Sequence, residues 1–170
     1  MTHLHLAALA AFAALMVVAA VEDFRRLIIP NPLTLALLVL WPAYIAGAFS
    51  FIGALGALGC AAVVFVVGAL CFARGYMGGG DVKLLSAATL WVGPAQTPAL
   101  LLVTGLVGGA LALFLLMPMG AQAAQFGRTL LGRVFRSGAA ATGAAGPAQI
   151  PYGVAIASAA LIVTLPPHLT

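Results

Sequence analysis

The sequence predicts an all-α, polytopic membrane protein with about six transmembrane helices, the fourth of them short and broken. Three observations carry this. Of the 170 residues, 64% are hydrophobic and only 6% are charged, whereas about a quarter of the residues in a soluble domain carry charge. Mean hydropathy is +1.20. The apolar runs are rich in Leu, Ala, Val and Gly and show no alternation of period two. A segment in lipid must satisfy its own backbone hydrogen bonds, so such runs read as helices rather than barrel strands.

Apolar runs fall at about residues 4–22, 33–49, 51–73, 82–93, 98–118 and 150–165, most of them near the ~20 residues that cross a bilayer. The first has no Lys or Arg before it and two arginines after it, so it reads as a retained anchor rather than a signal peptide. When the six runs are threaded alternately, Arg25, Arg26, Arg74, Lys83, Arg128, Arg133 and Arg136 all land on one side. By the positive-inside rule that side is the cytoplasm and both termini lie outside. Topology thus accounts for the net charge of +4, and no nucleic-acid partner is expected. The fourth run ends at Gly93-Pro94, giving a helix of ~18 Å against a hydrocarbon core of ~30 Å. The preceding glycine loop, residues 78–81, is therefore expected to be drawn into the membrane. Irregular backbone is tolerated there only beside protein or a water-filled cavity.

Residues 120–149 differ in character. Phe126, Leu130 and Val134 recur every four residues with arginines elsewhere on the wheel, as in a short interfacial helix. The low-complexity stretch that follows, residues 137–147, reads as a flexible linker. The whole chain, 1–170, is expected to form one membrane-embedded domain. Gly53, Gly56 and Gly59, and Gly105 with Gly109, have spacings that let helices approach closely. They imply packing within the chain, with a homodimer as the alternative. Cys60 and Cys71 lie in one apolar run without a CxxC spacing and are expected to pack.

The chain has three carboxylates, Glu22, Asp23 and Asp81. All sit at the same ends of apolar segments, where ionisable groups are expensive enough to need a reason. Asp81 is able to cap helix four, and Asp23 is able to pair with Arg26 at helical spacing. Taken together, two carboxylates sharing one proton across a water hydrolyse a peptide bond without metal or nucleophilic side chain, because like charges held close do not both ionise. His3, His5 and His168 lie near the termini, on the opposite side from the carboxylates, and are expected to be solvated. The glycines before Asp81 permit close approach of a substrate backbone.

Met77-Gly-Gly-Gly-Asp81-Val-Lys83-Leu-Leu resembles the GxGD loop of type IV prepilin peptidases, including its x-Lys-Leu. Asp23, followed by Ile29-Pro30-Asn31, is similar to the family's other motif, 58 positions upstream. Ile150-Pro-Tyr-Gly-Val is similar to the Pro-aromatic-Gly segment that opens the family's last helix. The resemblance implies intramembrane aspartic proteolysis with Asp23 and Asp81 catalytic, Gly78 and Gly80 shaping the loop, and no cofactor or metal. Lys83, Arg26, Pro30 and Asn31 are supporting residues. The implied substrates are prepilin and pseudopilin precursors, cleaved at the cytoplasmic face of the bacterial inner membrane. The chain resembles the short form associated with Flp/Tad pili, without the paired-cysteine region, so no methyltransferase activity is expected. The rival readings are an archaeal-type preflagellin peptidase or a presenilin-like protease, a non-catalytic pilus-assembly subunit, and a small proton-coupled transporter. The absence of a Tyr-Asp pair speaks against the presenilin-like form.

Overall fold

A computed structural model describes residues 3–48, 51–134 and 150–164. Among these the chain is all-α: α1 (His3–Arg26), α2 (Asn31–Ala48), α3 (Phe51–Ala73), α4 (Gly79–Leu116), α5 (Pro118–Val134) and α6 (Tyr152–Thr164). Helices α1, α3 and α4 are long and apolar enough to cross a membrane, while α2 and α6 contribute shorter apolar helices.

The expected fourth and fifth helices are both present, as the two halves of α4 on either side of a kink at Gly93. Within α4 only Gly93 leaves helical geometry, at φ 73° and ψ 176°. That left-handed φ suits glycine, and Pro94 then opens the second half, as proline does at a helix start. Gly108, in this second half, lies against the Tyr152 ring, where an added Cβ would be 3.0 Å away, and the neighbouring Gly153 packs on Asp23. Asp23 in turn shares a cavity with Asp81. A straight helix would separate residues 81 and 108 by ~40 Å, so α4 must fold back at Gly93. The fourth helix also begins earlier than expected, at Gly79. Gly79, Gly80 and Asp81 are thus its first turn rather than a loop.

Helix α1 buries His5, Ala8, Leu9, Phe12, Met16, Ala19 and Asp23, a single stripe at the spacing of one helix face. Phe12 stacks on Trp91 at 4.7 Å, and Trp91 on Tyr44 at 4.9 Å. The Trp41 indole N–H donates to the Leu90 carbonyl at 3.0 Å. Four residues past Leu90 stands Pro94, which has no N–H to give, so the indole fills the gap that the proline leaves. His5 departs from expectation. It is only 2% exposed, with its ring stacked on Tyr44 at 4.8 Å and a ring nitrogen 3.4 Å from the Tyr44 carbonyl. The aromatic layer offers it both a face and a hydrogen bond, and so removes it from solvent. His3 is exposed, and His168 lies outside the described residues.

The glycine spacings are used selectively. Gly56 meets Pro94 and Gly68 meets Val82, joining α3 to α4. Gly59, Gly105 and Gly109 have no described atom within 4 Å of an added Cβ, so Gly108, rather than the Gly105/Gly109 pair, makes the close approach. The interfacial helix is longer than its sequence pattern indicated and follows α4 directly. A Cβ added at its Gly127 would stand 3.2 Å from the Phe24 ring, while Phe126 and Leu130 stay exposed. The expected linker, residues 137–147, lies outside the described residues. Cys60 and Cys71 are free and partly buried.

Candidate active site

Asp23 ends the buried stripe of α1 and is 4% exposed. A carboxylate there requires partners, and the start of α6 supplies one. The Val154 backbone N–H donates to Asp23 Oδ2 at 3.3 Å. Val154 is the third residue of α6; its N–H is shared with the Pro151 carbonyl at 3.2 Å, and the helix end carries partial positive charge. The approach depends on Gly153, since a Cβ there would stand 2.8 Å from Asp23 Cγ.

Asp81 lies at the other kind of helix end, in the first turn of α4. Gly78 is the N-cap, so Asp81 does not cap the helix as its sequence position suggested. Being third in the first turn, it reaches back to the Gly78 backbone instead, the carboxylate half of a capping box. A side chain at Gly78 would collide with it, 2.7 Å from Oδ2. Asp81 is half-buried and close enough to Asp23 to interact electrostatically.

Two contacts hold the motifs together. Gly80 lies under Ile29, with 3.1 Å between an added Cβ and Ile29 Cβ. Lys83 Nζ donates to Asn31 Oδ1 at 2.9 Å, tying the fifth residue of α4 to the first residue of α2. Between the motifs is a cavity of ≈ 200 Å³ lined by Asp23, Leu27, Ile28, Ile29, Gly78, Gly79, Gly80 and Asp81. A water molecule takes ~30 Å³ of liquid volume, so the space admits a water together with part of a peptide. Two carboxylates bordering such a space have the geometry to hold a water and a carbonyl between them.

The structure thus gathers Asp23, Asp81, Gly78 and Gly80 around one cavity, with Lys83 and Asn31 as the tie beside it. Pro30 closes the linker by accepting the Leu33 N–H at 3.1 Å. Arg26 does something other than the expected pairing with Asp23. Its Nε lies 3.2 Å from Glu22 Oε2, and Arg25 meets Glu22 Oε1 at 3.2 Å. At four residues' separation Glu22 shares a helix face with Arg26, while Asp23 is buried on another. Three contributions were not assigned to the site from the sequence: Leu27 and Ile28 in the wall, and Gly153 against Asp23. The Pro-Tyr-Gly segment did signal the last of these. Among the described residues no group of three or more His, Cys, Asp or Glu is placed to hold a metal.

An all-helical membrane protein with paired carboxylates on one cavity has the parts of a membrane-embedded peptidase. The chain belongs to the type IV leader peptidase family, whose model matches residues 10–113, more than half of its length and inclusive of both aspartate motifs. It is accordingly a peptidase of the leader-processing kind, an aspartic hydrolase in general terms, working in a lipid setting. No curated protein and no solved structure gives a significant match.

Proposed function

We propose that this protein is an aspartic endopeptidase that removes the leader of type IV prepilin-like, Flp-type precursors at the cytoplasmic face of the bacterial inner membrane. Asp23 and Asp81 are the catalytic pair. The observation that carries this is the single cavity bordered by both carboxylates, each held at the N-terminal turn of a helix. With one proton between them, the ionised carboxylate takes a proton from the attacking water while the protonated one polarises the scissile carbonyl and then protonates the departing amine. The proton belongs to the pair, so neither role is fixed to one residue. The step requires neither a metal nor an organic cofactor.

The orientation is supported by charge. Arg25 and Arg26 end α1, Arg74 follows α3 and Lys83 is the fifth residue of α4, all at the end of the bundle that holds the cavity. Positive charge collects on the cytoplasmic side, where the basic leader of a precursor would also reside. The test is leader cleavage of a co-expressed Flp-type prepilin, read as a gel shift. Asp23→Asn and Asp81→Asn are each expected to lower cleavage by about 10²-fold or more at unchanged membrane levels. Cleavage surviving both substitutions would remove this mechanism, and no cleavage of several prepilins by the wild-type chain would favour an assembly subunit or a transporter.

A further inference from the structure

We propose that the short segment between α1 and α2 is a backbone edge on which the scissile stretch of the substrate lies as an added strand. The proposal rests on the leader-peptidase reading and concerns how that substrate is held.

Leu27 leaves α1 with φ 54°, the one non-glycine residue with positive φ among those described. A left-handed conformation costs a residue with a Cβ ~1–2 kcal/mol, and such strain persists where its surroundings impose it, often at binding sites. Here it turns the chain out of the helix and along the cavity wall. The next two residues lie outside the helices and differ in burial. Ile29 is 7% exposed, pressed on Gly80, while Ile28 faces away and is 67% exposed.

The backbone of this stretch is bracketed by paired groups. Leu27 N–H donates to the Asp23 carbonyl at 2.8 Å, and the Pro30 carbonyl receives the Leu33 N–H. Between them, the N–H and C=O groups of Ile28 and Ile29 make no hydrogen bond among the described residues, although both residues line the cavity. Unpaired backbone is costly away from water, and an extended run of it is a template for another chain.

The chemistry names the occupant. Water attacks a carbonyl carbon only when that peptide group is accessible, and a helical peptide group is enclosed by its neighbours. An extended peptide laid along residues 28–29 would face the two carboxylates across the cavity. Main-chain hydrogen bonds would supply the hold irrespective of side chains, as in other strand-addition complexes. Proline at position 30 has no N–H and ends the edge, which keeps the pairing short.

The experiment uses the purified full chain in detergent and a synthetic peptide spanning the leader junction. Each amide other than the scissile one is replaced in turn by an ester, which deletes one N–H. A paired strand presents alternate residues to its neighbour. Cleavage efficiency, kcat/KM, is therefore expected to fall about tenfold at alternate positions and to stay within about twofold at those between. Cleavage of the all-amide peptide that is lost with Asp81→Asn, combined with losses that do not alternate, would overturn the edge while leaving the peptidase standing. No cleavage of the all-amide peptide by the wild-type chain would overturn both.

Discussion

Asp23 owes its place to two small features. The helical period carries one face of α1 from His5 through Phe12 and Met16 to Asp23, so the carboxylate is delivered to the interior by the same stripe that packs the core. Gly153 then lets α6 begin against it, with the Val154 N–H at 3.3 Å. Gly153→Ala sets a methyl group within 2.8 Å of Asp23 Cγ. Overpacking of this size costs ~1–3 kcal/mol, and here it displaces the carboxylate. We expect leader cleavage to drop by about tenfold or more while the protein still accumulates in the membrane. Unaltered cleavage would show that this contact is irrelevant to the site. Glu22 is the contrasting carboxylate, turned outward to Arg25 and Arg26. Glu22 does not line the cavity, so Glu22→Gln is expected to keep cleavage within about twofold. A loss matching that of the Asp23 variant would mean the wrong acidic residue has been assigned.

Among the elements, α4 does the most to build the site. It starts with Asp81 in its first turn, runs to Gly93, and returns to pack Gly108 on Tyr152 of α6. One chain segment thereby supplies a carboxylate and also braces the helix that meets the other. The reversal depends on a backbone geometry that residues with a Cβ adopt at a cost of ~1–2 kcal/mol. Gly93→Ala should lower the unfolding midpoint of the detergent-solubilised protein, with loss of cleavage following the loss of folded material. A midpoint equal to wild type would argue that the bend is set elsewhere. The Lys83–Asn31 hydrogen bond joins α4 to α2 beside the cavity. A double-mutant cycle on cleavage rate with Lys83→Met and Asn31→Leu should give a coupling of ~0.5–3 kcal/mol. Additive losses would show that the two residues act separately.

For the whole molecule, the arrangement concentrates chemistry at one end of an apolar bundle. The opposite end holds the His5, Tyr44, Trp91 and Phe12 layer, and large apolar side chains such as Ile52, Val63, Val66 and Leu102 are exposed on its flanks, as expected of surfaces that face lipid. Helix α5 lies across the catalytic end, against Phe24, with Phe126 and Leu130 available to the membrane interface. The charge distribution predicts that a cysteine at Gly75, in the bend after α3, reacts with impermeant maleimide from the cytoplasmic side only. Labelling from the outside would invert the topology and remove the leader from reach of the carboxylates.

The membrane class, the helical content and the two aspartate motifs were legible in the sequence, because hydropathy and short motifs are local properties that survive without knowledge of packing. The break at Gly93-Pro94 was legible for the same reason, as were the amphipathic residues of α5. The burial of His5 was not, since the Tyr44 that shelters it is 39 positions away. Nor was the pairing of Arg26 with Glu22 in preference to Asp23, which turns on the face α1 presents to the bundle. The Lys83–Asn31 tie spans 52 positions and the Asp23–Val154 contact spans 131. Sequence alone established that two carboxylates lie at helix ends with glycines beside one of them. That they border a single cavity, with α6 beginning against one and an unpaired backbone edge along the wall, was decided by the tertiary structure. Those contacts join segments far apart in the chain, and only the close packing of α1, α4 and α6 brings them into register.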